Sequence, residues 1–268
     1  MFPPPVPHLE IRDLHRHFRK RTGGLLSRRV HTIRAVDGVS LSIEKGEILG
    51  LVGESGCGKS TLSRTVMQLL PPSSGSVILD GQDLSRLGRR GIRRRRLEFQ
   101  MIFQDPYASL NPRMTVFSTL AEAVRQRHRK LSGAALTDHI AGLMITVGLD
   151  PRYLRKYPHE FSGGQRQRIA IARALAPEPQ LIIADEPVSA LDVSIQAQIL
   201  NLLRKLRADL QLTMIFVSHD LSVVRYLADR IAVMRHGRIV ETGPSEQLFA
   251  NPQHPYTREL LAAIPKLP

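Results

Sequence analysis

The stretch EILGLVGESGCGKSTLSRTVMQLL, Glu47 to Leu70, narrows the choice of fold more than any other in this 268-residue chain. Its first part, Glu47 to Glu54, reads as a short buried strand running into a glycine turn. Its last part sets Leu62, Val66, Leu69 and Leu70 at i, i+4, i+7 and i+8, an apolar helical stripe expected to run until Pro71 and Pro72 end it. Between them GESGCGKS fits G-x-x-x-x-G-K-[ST] at every fixed position, with Gly53, Gly58, Lys59 and Ser60. The glycines let backbone N–H groups approach an anion with no Cβ in the way, and the helix N-terminus adds partial positive charge. This is a phosphate cradle. Lys59 is expected to reach the β- and γ-phosphates and the Ser60 hydroxyl to ligate Mg²⁺. Glu54, Ser55, Gly56, Cys57 and Thr61 complete the nucleotide loop, and Cys57 sits where a helix N-terminus and Lys59 favour thiolate.

LIIADE, Leu181 to Glu186, supplies the acidic partner. An apolar strand ending in two carboxylates suits the mouth of a phosphate site: Asp185 to hold Mg²⁺, Glu186 to orient or deprotonate the attacking water. TMIFVSHD is a further strand. VILDGQDL and IAVMRHGRIVETG are hairpins turning at Asp80-Gly81 and His236-Gly237. Between Asp105 and Pro179 helical patterns dominate, so a helical subdomain is expected inside an α/β core of mostly parallel strands. The tail NPQHPYTRELLAAIPKLP reads as a short helix bracketed by prolines.

A second glycine pair stands in FSGGQRQRIAIARALAP. Ser162, Gly163, Gly164 and Gln165 open a helix with apolar positions Ile169, Ala172 and Leu175 that stops at Pro177. Such a helix N-terminus is either a glycine-rich cap with no ligand or a second anion site. Because the first loop already has its lysine and acids, the second site would serve the nucleotide of another molecule. Two copies packed head to tail would then clamp two ATPs.

Composition sets the outer limits. Hydrophobic residues at 42% are ordinary for a globular chain, and no apolar run approaches the roughly 18 residues of a membrane span. The start MFPPPVPHLEIRD has neither basic nor apolar leader character. One cysteine, Cys57, allows no internal disulfide and no thiolate cluster, and a cytoplasmic protein is expected. The net charge of +14 draws on RKRTGGLLSRR (19–29) and RRGIRRRR (89–96). A solvated face, an anionic membrane surface and nucleic acid are all open partners, although the arginine runs lack the aromatics of a single-strand binding surface.

With GESGCGKS, FSGGQ and LIIADE in this order, the chain resembles the nucleotide-binding subunit of an ATP-binding-cassette transporter, from about Leu9 to Pro265. The resemblance implies a P-loop (RecA-like) α/β core with an N-terminal antiparallel β subdomain and an inserted α-helical subdomain. Residues 9–103 and 179–248 would form the core, 104–178 the inserted subdomain with the signature motif, and 249–268 a peptide-transporter-type tail. It implies roles for Gln104 as the Q-loop residue near Mg²⁺, for Asp192 in SALD at the dimer interface, and for His219 as the switch histidine at the γ-phosphate. FQDPYASLNPRMTV and HPYTRELLAAIP are similar to the dipeptide, oligopeptide and nickel uptake subfamily. Some members there hold an iron–sulfur cluster, which this chain lacks the cysteines for.

The function so implied is ATP hydrolysis, with ATP and Mg²⁺, powering solute import at the cytoplasmic face of the inner membrane. Di- or oligopeptides are the first solute, nickel or a metal chelate the second. Transmembrane permease subunits and a second ATPase subunit, different or identical, would be direct partners. An extracytoplasmic solute-binding protein would act indirectly, and no nucleic-acid partner is expected. The competing class, a soluble cassette ATPase acting on nucleic acid or ribosomes, usually carries two cassettes, coiled-coil insertions or zinc cysteines, none of which is present. A small-molecule kinase leaves FSGGQ without a purpose. The segment DPYASLNP is expected to be a stiff surface loop suited to docking. One departure concerns adenine: near Val30 and His31, where the family stacks the base, no Tyr, Phe or Trp is adjacent, so either His31 stacks, or Phe18 reaches in, or the base is held loosely and GTP is also open as a substrate.

Overall fold

The computed structural model describes residues 7–22 and 29–263. In chain order the elements begin with β1 (Leu9–Thr22), β2 (Arg29–Ile43), β3 (Ile48–Val52), α1 (Lys59–Val66), β4 (Ser74–Leu79), β5 (Gln82–Asp83) and α2 (Arg89–Arg95). Then come β6 (Phe99–Ile102), α3 (Pro106–Ser109), α4 (Val116–Arg127), α5 (Gly133–Thr146), α6 (Gly163–Leu175), β7 (Leu181–Asp185) and α7 (Val193–Leu210). The last are β8 (Thr213–Ser218), α8 (Leu221–Leu227), β9 (Arg230–Arg235), β10 (Arg238–Pro244), α9 (Ser245–Ala250) and α10 (Pro255–Ala262). The chain divides into two compact units, one taking residues up to 92 and from 215 onward, the other residues 93–214.

The first unit carries an antiparallel sheet in the order β2-β1-β4-β5, with Leu9 opposite both Ile43 and Leu79. Leu9, Ile11, Val39, Ile43, Val77 and Leu79 are buried on it, as an antiparallel sheet with one covered face requires. The same unit holds the strand order β10-β9-β3-β8, in which β3 runs parallel to β9. All five residues of β3 are buried, the mark of a strand covered on both faces. Helix α8 lies so close to it that a Cβ on Gly50 would stand 2.2 Å from Val224 Cγ1. Both expected hairpins form. Asp80-Gly81 and His236-Gly237 have φ of 47° and 75°, and 47° and 82°, the two left-handed residues that a type I′ turn needs.

Helix α1 is shorter than its apolar stripe. It ends at Val66, and the amides of Leu69 and Leu70 both return to the Arg64 carbonyl at 2.9 and 3.1 Å. Gln68 turns left-handed at φ 52°, so the chain leaves the helix before Pro71 and Pro72, and Leu69 is 42% exposed.

The second unit pairs β6 with β7 in parallel, Phe99 opposite Leu181 through Ile102 opposite Ala184. Around α6 gather α3, α4, α5 and α7. Val116, Leu120 and Val124 of α4, with Ile140 and Met144 of α5, are fully buried, each contributing on the order of 2 kcal/mol of apolar burial. The expected helical character of this region and the α/β fold class are both found. DPYASLNP differs: it contains a helical turn, α3. Asp105 caps it by accepting the Tyr107 amide at 2.7 Å, and Pro106 at the first helical position is pre-set for a helix. The second arginine run is the helix α2, anchored by buried Ile92 with Arg89, Arg90, Arg93 and Arg94 exposed. Among the described residues no helix is long and apolar enough to cross a membrane.

Candidate nucleotide-binding and signature residues

In the first unit, the loop Gly53 to Gly58 joins β3 to α1, and three glycines in it take φ of 152°, 80° and 116°. Two of these have no room for a side chain. A Cβ on Gly53 would stand 2.2 Å from the Met234 carbonyl oxygen, and one on Gly58 2.1 Å from that of Ala35. Lys59, 5% exposed, donates from Nζ to the carbonyls of Gly53 at 2.6 Å and Glu54 at 2.9 Å, which fixes its head group inside the loop. The Cys57 thiol is buried, 3.8 Å from that Nζ. Ser60 and Thr61 lie in the first turn of α1, so the loop delivers a lysine, a hydroxyl and a helix N-terminus to one place.

Other parts of this unit hold the loop in position. The Gly237 amide donates to the Cys57 carbonyl at 2.8 Å, and the Glu54 amide donates to the Tyr256 hydroxyl at 3.1 Å. Tyr256 is 1% exposed at the start of α10, with the Arg235 guanidinium 4.5 Å from its ring centre, and burial pushes its phenol up. Tyr256 stands in the tail HPYTRELLAAIP, whose local pattern carries no sign of contact with the phosphate loop. His219 follows β8 and is exposed, just before Asp220 caps α8 through the Ser222 amide at 2.8 Å. Phe18, half-buried on β1, faces Ile33 in register and carries the Arg16 guanidinium 4.6 Å from its ring centre. His31 is exposed on β2, opposite Lys20. Both adenine candidates thus carry a ring, the exposed imidazole of His31 and the half-buried phenyl of Phe18.

The second unit collects the other candidates. Asp185 closes β7 and is 5% exposed; Gln104 follows the neighbouring strand β6. That pairing brings Gln104 Nε2 to 3.2 Å from Glu186 Oε2, where it donates. Glu186 is left-handed at φ 49°, a backbone state costing about 1–2 kcal/mol outside glycine and typical of functional positions. Ser189 donates from both its amide, at 3.3 Å, and its hydroxyl, at 3.1 Å, to the Glu186 carbonyl.

Ser162, Gly163, Gly164 and Gln165 form the N-terminus of α6. The Ser162 hydroxyl accepts the Gln165 amide at 3.4 Å and the Gln165 side chain accepts the Ser162 amide at 3.0 Å, a reciprocal cap. Neither glycine needs a left-handed φ. Gly164 is there for space, because a Cβ would stand 2.5 Å from Ile195 Cγ2, on the first turn of α7. Asp192, exposed, is the cap residue of α7, so SALD and SGGQ pack together through Leu191 and Ile195. Tyr107, 62% exposed on α3, has the Arg166 guanidinium of α6 4.0 Å from its ring centre. Arg173, also from α6, donates to the Ser109 carbonyl. This ties the segment after Gln104 to the signature helix.

The comparisons agree with these motifs. The family described as ABC transporter matches residues 36–189, and the family described as oligopeptide/dipeptide transporter, C-terminal region, matches residues 240–268. The oligopeptide transport ATP-binding protein AppF of Bacillus subtilis is 51% identical over 258 residues, 96% of this chain and 78% of its own. The oligopeptide transport ATP-binding protein OppF of Salmonella typhimurium is 51% identical over 258 residues, 96% of this chain and 77% of its own. Among solved structures, the dimeric post-hydrolysis state of the ATP-binding cassette MJ0796 bound to ADP and Pi aligns with a TM-score of 0.77 at 28% identity, covering 88% of this chain and 98% of that one. The chain therefore belongs to the ABC transporter family, as one of its ATPase subunits.

Proposed function

We propose that this chain powers oligopeptide import, binding MgATP through Gly53–Thr61, Gln104, Asp185 and His219 and hydrolysing it with Glu186. Glu186 supports the catalytic part most: a carboxylate held by Gln104 on a strained backbone is built for orientation. Its oxygens orient the attacking water and take its proton as the γ-phosphoryl group departs. Lys59 and the loop amides stabilise the charge on the phosphate oxygens, and His219 contacts the γ-phosphate. The Ser60 hydroxyl and the Asp185 carboxylate are the hard oxygen donors that Mg²⁺ prefers, and Gln104 joins them. When bound, Mg²⁺ would supply positive charge to the phosphate oxygens.

Ser162, Gly163, Gly164 and Gln165, with Asp192 nearby, close on the nucleotide of a second ATPase subunit. The dimeric cassette MJ0796 supports such pairing. Exposed Tyr107 on α3 forms part of the face that docks on membrane permease subunits at the cytoplasmic side of the membrane. A separate extracytoplasmic binding protein then selects the solute. Peptide is favoured over nickel by the C-terminal region match and by relatives named for oligopeptide transport.

The test is uptake in cells lacking the gene. Labelled tri- to pentapeptide uptake should fall, return with the wild-type gene and stay lost with Lys59→Ala. Intact peptide uptake with lost nickel uptake would replace the solute; restoration by Lys59→Ala would remove the loop from the mechanism.

A further inference from the structure

On the first unit, β1 and β2 bring together three groups that the ATPase chemistry does not use. His15 and His17 lie two apart on β1 and so point to one face, and His15 is directly opposite Asp37 of β2. The pairing shifts register between Arg16 and His17, an irregularity that carries His17 to the same carboxylate. His15 Nδ1 is 3.3 Å and His17 Nε2 3.4 Å from Asp37 Oδ1. Both ring nitrogens are buried, and at these distances neither makes a hydrogen bond of normal geometry. A histidine–carboxylate hydrogen bond would be shorter, about 2.7–2.9 Å when charged.

We infer that His15 Nδ1, His17 Nε2 and Asp37 Oδ1 form a binding site for zinc or a similar late first-row divalent cation, clipping β1 to β2. The spacing matches. Bonds of about 2.0–2.1 Å in a tetrahedral site put neighbouring ligand atoms about 3.3–3.4 Å apart. All three ligand atoms lie within 4.8 Å of one another. Imidazole with one carboxylate suits zinc, copper or nickel rather than Mg²⁺ or Ca²⁺.

The surroundings complete the site. His15 Nε2 donates to Asp13 Oδ1 at 3.1 Å, the outer carboxylate that commonly fixes a ligating histidine's tautomer and leaves its other nitrogen for metal. Arg238 donates to Asp37 Oδ2 at 2.7 and 3.1 Å, which leaves Oδ1 as the ligating oxygen. The Arg34 guanidinium lies 3.9 Å from the same Oδ2. Two arginines and two aspartates cancel, so the cation meets a locally neutral frame. Water supplies the fourth ligand.

The test uses the full chain stripped of metal by a chelator, with Mg²⁺ in excess, titrated with Zn²⁺ against a colorimetric chelator. Because His128, His139 and Glu178 make a second cluster of potential ligands, the titration is run in His139→Gln protein. One Zn²⁺ should bind and raise the melting temperature. Adding His15→Gln or His17→Gln should weaken it at least a hundredfold. Asp13→Asn, which touches His15 Nε2 and not the cation, should weaken it about tenfold. Zinc-edge X-ray absorption on the His139→Gln protein should show two imidazoles and oxygen, a readout that does not depend on whether the other variants fold. No Zn²⁺ binding, unchanged affinity in both histidine variants, or a shell containing the Cys57 sulfur would overturn the site.

Discussion

Tyr256→Phe isolates the link between the C-terminal helix and the phosphate loop. Phenylalanine keeps the ring, its burial and the Arg235 stacking, and removes only the hydroxyl that accepts the Glu54 amide at 3.1 Å. The net loss of one hydrogen bond is about 0.5–1.5 kcal/mol, rising towards about 2 kcal/mol because a partly buried amide is left without its partner. For a chain of this size each kcal/mol moves the melting temperature by about 2–4 °C, so a fall of about 1–8 °C is expected in scanning fluorimetry. If the hydroxyl positions Glu54 for phosphate binding, the same energy appears as an ATP dissociation constant weakened about 2- to 30-fold. An unchanged melting temperature would refute the contact. A lower melting temperature with wild-type ATP affinity would refute its role in positioning the loop.

Gly58→Ala combines a left-handed backbone with a Cβ 2.1 Å from the Ala35 carbonyl, a backbone atom that cannot swing away. It should cost on the order of 3 kcal/mol and abolish ATP binding measured by fluorescence titration. Glu241 accepts the amides of Gln253 at 2.8 Å and His254 at 3.0 Å at the entrance to α10. Burial works to raise its carboxyl, but hydrogen bonds to the ionised form outweigh it and leave it lowered. Its contribution to stability is thus present above the unfolded pKa and lost as pH falls through the folded value. Denaturant midpoints of wild type and Glu241→Gln should differ at pH 7 and converge below the ordinary glutamate range, about pH 4. For the signature helix, Glu186→Gln protein given MgATP should double its solution mass from 30.0 kDa. Adding Ser162→Arg should keep it monomeric; doubling despite the arginine would detach Ser162 from the interface.

Local chemistry was legible in the sequence wherever neighbouring residues do the work. The phosphate loop, the strand ending in Asp185-Glu186, the capped start of α6 and both hairpin turns need only short-range pattern. What escaped depends on partners distant in the chain. Glu54 and Tyr256 are 202 residues apart, and nothing local says that HPYT packs under a phosphate loop. Gly164 reads as a glycine for anion approach, and nothing local shows that Ile195, 31 positions on, also leaves no room there for a Cβ. The zinc-type cluster required the register of β1 on β2, including its shift after Arg16. The end of α1 was misjudged because Leu69 and Leu70 continue the helical period, while a left-handed Gln68 breaks it. DPYASLNP was read as a stiff loop on its prolines, although Asp before Pro is also how a helix begins.

In the proposed function Glu186, held by Gln104, is the group through which this chain hydrolyses ATP. Its most direct test is steady-state phosphate release by wild type and Glu186→Gln, with ATP binding to both measured in parallel. Intact ATP binding with turnover lowered at least a hundredfold is expected of the glutamine protein, the scale of a lost general base. Turnover close to wild type in a protein that binds ATP would contradict it.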